Sequence, residues 1–223
     1  MSRHAPSASR APSGYRKGGE THARILDAAL IEFGLHGYAA ATTRQIADRA
    51  AVNLPALTYY FGGKEGLYLA CAQRIVAGYR DGVGTVAQHV ADALAKPLAP
   101  GEAAALLQRL MAALARFLLS TGEVAHRTLF VQREIASPGP AFEILYAELW
   151  RPGIELAAEL IAHARGGMIG EGEARLRAVM MISSLTGLVE GRDIVARAIS
   201  VGDQADAVIA ILEEQIEGIV RPG

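Results

Sequence analysis

One cysteine in 223 residues, Cys71, excludes an intrachain disulfide and fits a reducing compartment. With Leu67, Ala70 and Ile75 at helical spacing around it, the thiol is predicted to be a buried structural group. No long apolar run is present either. The first twenty residues, rich in Ser, Pro, Ala, Gly and Arg, hold no apolar segment of the length a secretory signal needs. They read as a disordered basic arm over 1–19, with Arg10, Arg16 and Lys17 as candidates to enter a minor groove and a solvated tail as the alternative reading. The most apolar stretch, Ala103 to Leu119, is interrupted by Gln108, Arg109 and Arg116, so it reads as a buried helix and not a membrane span. A cytoplasmic protein without a membrane partner is expected.

Enzymatic signatures are also missing. His4, His22, His36, His89, His126 and His163 never pair at metal-ligand spacing, no Gly-rich loop follows a strand, and Cys71 has no catalytic signature around it. No cofactor, metal site or enzymatic activity is expected. Strand-like alternation and internal repeats are absent too, and the fold class that remains is all-α.

Hydrophobic residues make up 51% of the chain, enough to fill a core and two modest domains. Net charge is near zero but unevenly spread. Residues 1–64 carry eight Lys/Arg against four Asp/Glu, while the remainder carries fourteen against nineteen. A basic front and acidic back fit a polyanion-facing end and a separate sensing end. Ile25, Leu26, Ala29, Leu30 and Phe33 predict a helix from Thr21, stopped by Gly34 and Gly37. A long helical pattern follows from Lys64 to about Leu94, with Gly78, Gly82 and Gly84 as a candidate break or bend. Lys96 to Gly101 is a loop. Further helices are predicted over about Glu102–Leu119, Val124–Ala136, Pro140–His163, Glu173–Ile199 and Asp203–Val220.

Thr42 to Lys64 is the stretch that carries chemistry. Thr42 with Gln45 matches a reciprocal capping box, so a short helix begins at Thr43 with Ile46, Ala47 and Ala50 inward. Arg44, Gln45, Asp48 and Arg49 then face water or a polyanion. Ala51 and Val52 make a turn, Asn53 caps a second short helix, Pro55 falls in its first turn, and Leu57 anchors it. Its outward face carries Asn53, Leu54, Ala56, Thr58, Tyr59 and Tyr60, small enough for a major groove and rich in donors. Lys64 follows at a place where an ammonium meets a phosphate.

From about Thr21 to Tyr79 the chain resembles the DNA-binding domain of the tetracycline-repressor (TetR) family of bacterial transcriptional regulators. Phe33-Gly34, Gly37-Tyr38, Thr42-Thr43, Ile46-Ala47, Tyr59-Tyr60-Phe61 and Lys64-Glu65-Gly66-Leu67 carry that resemblance, in order. Ala51 stands where the turn usually has Gly, and Pro55 and Thr58 where Gly and Tyr are common. NLPALTYYFGGKEGLYLA, with the later Arg133-Glu134 and Pro138-x-Pro140-Ala141, is similar to the CecR-like subgroup. The resemblance implies a three-helix helix-turn-helix domain over 20–79 and a helical effector-binding and dimerisation domain over 80–223. It further implies a ligand-responsive homodimeric repressor, released from a palindromic double-stranded operator by a small, largely apolar effector. Thr42, Thr43, Tyr60 and Lys64 would hold phosphates, with Arg44, Asn53, Leu54, Ala56 and Tyr59 near base edges and Thr58 on the same face.

For the effector, the large residues of the back half are the candidates: Phe117, Phe130, Phe142, Tyr146, Trp150 and Met181, with Met180 beside them. Arg133 and Glu134 are the expected polar contacts, together with His163. The terminal helices, through Ile182, Ser183, Leu185, Gly187, Leu188, Val189, Val208, Ile209, Leu212, Ile216 and Ile219, are expected to build a dimer interface, an intrachain core being the alternative reading. Two other functions stay open at the level of sequence. One is a constitutive DNA-binding protein that senses nothing, and the other a small all-helical enzyme or carrier.

Overall fold

The computed structural model describes residues 13–119, 124–198 and 204–220, which are helical throughout apart from short turns. α1 (Ser13–Ala40) begins well before the expected Thr21, and Gly34 lies inside it without stopping it. The break comes at Gly37, whose φ of 76° and ψ of 173° are open to glycine and strained for other residues. α2 (Thr43–Arg49) and α3 (Leu54–Phe61) follow, then α4 (Lys64–Leu94), α5 (Pro100–Leu119) and α6 (Val124–Ala136). The predicted 140–163 helix divides into α7 (Phe142–Leu145), a five-residue π turn (Tyr146–Trp150) and α8 (Arg151–Ala164). Pro152 explains the π turn, because it lacks an N–H and its ring would crowd the carbonyl four residues back. The neighbouring Arg151 N–H donates instead five residues back, to the Tyr146 carbonyl. α9 (Glu171–Glu190) and α10 (Arg192–Ala198) meet at Gly191, and α11 (Gln204–Val220) closes the described chain.

Two apolar clusters organise these helices. The front cluster joins α1, α2 and α3 to the first half of α4 through Ile25, Phe33, Ile46, Leu57, Leu67 and Cys71, all fully buried. The rear cluster packs α5 between α4, α8 and α11, with Leu107, Met111, Leu160 and Ile216 at its centre. α4 belongs to both. Its glycines do not break it: a side chain at Gly82 would begin 2.3 Å from a ring carbon of Phe117, so that glycine gives the ring its seat.

The front cluster is completed from far along the chain, by Phe130 of α6, Ala141 and Leu145. Phe33, Tyr38, Tyr68 and Phe130 pack ring to ring, with Tyr68 4.7 Å from Phe33 and 4.5 Å from Phe130. The Tyr68 hydroxyl donates to Oε1 of the buried Glu134 at 2.6 Å, and the Gly139 N–H donates to Oε2 at 3.1 Å. Arg133 reaches the other way, donating from Nε to the Gly34 carbonyl at 2.7 Å and from its terminal nitrogen to Leu35. Arg133 and Glu134, expected beside an effector, thus fasten α6 to α1 and α4. A cation over orphan carbonyls at a helix end, and a buried carboxylate with a donor on each oxygen, satisfy groups that burial would otherwise penalise.

Candidate DNA-reading face and interior cavity

The two short helices are held by caps that the sequence announces. The Gln45 N–H donates to Thr42 Oγ1 at 3.2 Å, while the Thr42 N–H donates to Gln45 Oε1 at 2.9 Å. The Ala56 N–H donates to Asn53 Oδ1 at 3.0 Å at the start of α3. Between them Ala51 sits at φ 50°, a left-handed position that costs a residue with a Cβ about 1–2 kcal/mol. Arg24 of α1 braces that turn, donating to the Ala50 carbonyl at 2.8 Å and the Ala51 carbonyl at 3.0 Å. Gly66 fixes the angle between α3 and α4, since a Cβ there would lie 2.0 Å from the Phe61 carbonyl oxygen.

This bracing leaves one face of α3 outward. Tyr59 is 84% exposed, and Asn53, Leu54, Thr58, Thr42 and Arg44 are exposed with it; Thr43, Ala56, Tyr60 and Lys64 are half-buried. Arg44 has no hydrogen-bond or ion-pair partner among the described residues, so its planar fork is available to a phosphate or base edge. Three residues of the same surface are already engaged. The Thr42 hydroxyl donates to Gln45 Oε1 at 2.7 Å, and Asn53 keeps only its amide donors for a second partner. Lys64 Nζ donates to the Ala39 carbonyl at 3.1 Å and lies 4.9 Å from the Tyr38 ring centre. Arg49 is exposed as expected, and it also bonds the buried Glu32 at 2.6 Å, with His36 3.5 Å from the other carboxylate oxygen. Arg10 lies outside the described residues, as do the side chains of Arg16 and Lys17.

Behind the head lies an apolar cavity of about 270 Å3 between α4, α5, α6, α8 and α9. Phe117 and Trp150 line it, with Tyr79, Val131, Ile154 and Ile182 among their neighbours and Arg127, Gln132, Ser183 and Thr186 as polar groups. Phe130 and Glu134 lie instead in the front cluster, Arg133 points to α1, and Met181 is in the rear core. Phe142 and Tyr146 form a ring stack outside the cavity, 6.2 Å apart at 4°, which reaches Trp150 through Phe142 at 5.4 Å. His163 and Met180 do not line it. Sequence reasoning missed Tyr79, although a tyrosine between Gly78 and Gly82 on one helix marks a face with room beside it.

Of the residues expected between two copies, Leu185, Val189, Ile209, Leu212 and Ile216 are buried within this chain, and Ile219 lies outside the described side chains. The outward stripe on α9 is Leu176, Val179, Met180, Ser183, Ser184 and Gly187, and Ile211 is exposed on α11. Among the described residues no helix is long and apolar enough to cross a membrane, and no three His, Cys, Asp or Glu residues gather as metal ligands would.

Comparison with known proteins agrees with this architecture. Residues 25–71 match the model for bacterial regulatory proteins of the tetR family, and residues 103–221 match that for the C-terminal domain of the HTH-type transcriptional dual regulator CecR. CecR of Shigella flexneri is 34% identical over 148 residues, covering 66% of this chain and 65% of that protein, a little under two thirds of its length. The HTH-type transcriptional regulatory protein RaaS of Mycobacterium tuberculosis is 46% identical over 50 residues, 22% of this chain and 23% of RaaS. In fold, the chain is similar to a TetR-like transcriptional regulator from Rhodococcus sp. RHA1, with TM-score 0.64 at 20% identity over 93% of this chain and 97% of that one. The two matched segments take in the capped head and most of the helical body, and the chain belongs to the tetR family of bacterial regulatory proteins, with a C-terminal domain of the CecR type.

Proposed function

We propose that this chain is a cytoplasmic, homodimeric DNA-binding transcription regulator that lets go of a palindromic operator when a small, largely apolar molecule enters the cavity. The observation that carries the reading is the outward face of α3, where Tyr59 stands 84% exposed beside Thr58, Asn53 and the unpartnered Arg44. An exposed tyrosine on a braced short helix has little value to folding, and its hydroxyl and ring suit base edges and sugar-phosphate. One such helix reads few base pairs, which favours two copies reading half-sites about one helical turn apart. The exposed Leu176, Val179 and Met180 of α9 and Ile211 of α11 support pairing through these helices.

For release, α6 is the natural transmitter. Arg127, Val131 and Gln132 on one side of it line the cavity, while Phe130, Arg133 and Glu134 on the other fasten it to α1 and α4. A ligand that shifts α6 changes the bearing of the head, and shifting the population from 1:99 to 99:1 takes a preference of about 5.5 kcal/mol for one form. The test is fluorescence anisotropy on operator DNA selected from a random pool. Tyr59→Ala and Arg44→Ala are expected to weaken specific binding without unfolding the chain, and Lys64→Ala to lower affinity for every sequence and reduce the salt slope by about one. Wild-type affinity and slope in all three variants refutes the assignment.

A further inference from the structure

A second hollow of about 310 Å3 lies back to back with the first. The two share Tyr79, Leu114, Leu149, Gly153 and Ile182 as common wall, and the Tyr79 hydroxyl is the one polar side-chain group in that wall. No hydrogen-bond partner for this hydroxyl exists among the described residues, and burial alone pushes its pKa up. It points at the one wall residue without a side chain: a Cβ on Gly153 would sit 3.6 Å from it. The ring packs on the rear apolar cluster, with the edge of Phe117 at 5.7 Å as its aromatic neighbour. At this point of the shared wall the phenol stands beside a residue without a side chain, and its hydroxyl offers a donor to a molecule lying there. At its outer end the second hollow is bordered by Arg80 and Glu148, paired at 2.8 Å with side chains 64% and 42% exposed, a pair that water screens and that opens at small cost.

We infer that the two hollows form one elongated binding site, taking a single extended, mainly apolar molecule that passes between Tyr79 and Gly153 and carries an uncharged hydrogen-bond acceptor near its middle for the Tyr79 hydroxyl. The inference rests on the effector reading above and adds to it the ligand's shape and the place of its polar group. A compact apolar molecule would fill the first hollow and leave the phenol unpaired. An acceptor at either end of a chain would lie away from the shared wall.

Symmetrical dialkyl ketones of increasing length are the probes, with Trp150 fluorescence as the readout, since the chain's one tryptophan lines the first hollow. In the wild-type protein affinity is expected to rise about 3- to 4-fold for each added methylene well past the length one hollow accepts. Gly153→Leu fills the junction while favouring the helix, and it should stop that rise at a shorter chain with the folded circular dichroism spectrum retained. Tyr79→Phe should weaken the long ketones by about 2- to 10-fold, the worth of one hydrogen bond, and leave the shortest ones unchanged. An equal plateau length in wild-type and Gly153→Leu proteins, or full affinity of long ketones for Tyr79→Phe, overturns the two-hollow site while the effector cavity stands. Absence of any Trp150 response across the series overturns both, whatever the DNA-binding result.

Discussion

Removing one oxygen from Tyr68 tests how the head is fastened to the rest of the molecule. Tyr68 is 1% exposed and Glu134 is 2% exposed, and the carboxylate has one donor on each oxygen, the phenol at 2.6 Å and the Gly139 N–H at 3.1 Å. In Tyr68→Phe the ring and its packing on Phe33 and Phe130 persist, so the loss is confined to the hydrogen bond. A bond to a charged group contributes about 1.5–3 kcal/mol, and here its loss leaves a buried oxygen without a donor, which places the cost near the upper end. For a chain of this size that lowers the thermal midpoint by about 6–12 °C. Glu134→Gln is the companion variant, because its oxygen still accepts from the Gly139 N–H while its NH2 meets the Tyr68 oxygen only as a donor, which reverses that bond and removes its charge. With Glu134→Leu as a further single variant, the double variant Tyr68→Phe, Glu134→Leu removes both side-chain polar partners and should cost less than Tyr68→Phe and Glu134→Leu summed. Calorimetry and urea unfolding read all of these. A Tyr68→Phe protein within about 0.5 kcal/mol of wild type, or strict additivity in the double variant, refutes the argument that this carboxylate depends on the phenol.

Alkaline pH should unfold the chain through groups that burial keeps protonated. The pKa values of Tyr68, Cys71 and Tyr79 are raised by desolvation, and for Tyr68 also by its bond to Glu134. Their contribution to stability is therefore intact below the ordinary thiol and phenol values, about 9 and 10, and declines as pH rises above them because only the unfolded chain releases the protons. Each group steepens the loss by about 1.4 kcal/mol per pH unit, so Cys71→Ala should flatten the decline between pH 9 and 10 in urea titrations. An unchanged slope would count against burial of the thiol in solution. Gly66→Ala forces a carbon against the Phe61 carbonyl and is expected to cost about 3 kcal/mol, with operator binding lost while helical circular dichroism persists. Normal operator affinity in that variant would show that the angle between α3 and α4 does not depend on this contact. Ala51→Gly relieves about 1–2 kcal/mol of left-handed strain and adds about 0.4–1 kcal/mol of unfolded-chain entropy, for a net gain of about 0–1.6 kcal/mol that raises or holds the urea midpoint. A clearly lower midpoint contradicts the strained turn.

How far the sequence could be read depended on whether the cause was local. The caps at Thr42 and Asn53, the inward Ile46, Ala47 and Leu57, and the buried Cys71 follow from residues within a turn or two of one another, and each stands where the spacing put it. The all-α class was legible for the same reason. Partners far apart in sequence were not. Arg133 and Glu134 look alike as a charged pair in a sequence, yet the first finds its partners in Gly34 and Leu35, 99 and 98 residues away, and the second in Tyr68, 66 residues away. Aromatic size was an equally poor guide to the cavity. Phe117 and Trp150 face it, while Phe130 is needed to fill the head. The glycines of α4 were read as freedom to bend, whereas Gly82 exists to let a ring approach.

Because Phe130, Ala141 and Leu145 supply part of what surrounds Phe33 and Tyr68, the DNA-facing third of this chain is not a transplantable module. A fragment cut after Tyr79 would carry an open apolar notch where α6 and α7 had been, and would recruit neighbours in solution to fill it. Anyone exchanging recognition heads between such regulators has to move that later strip along with them, or redesign the notch with polar residues so that the shortened piece stays soluble.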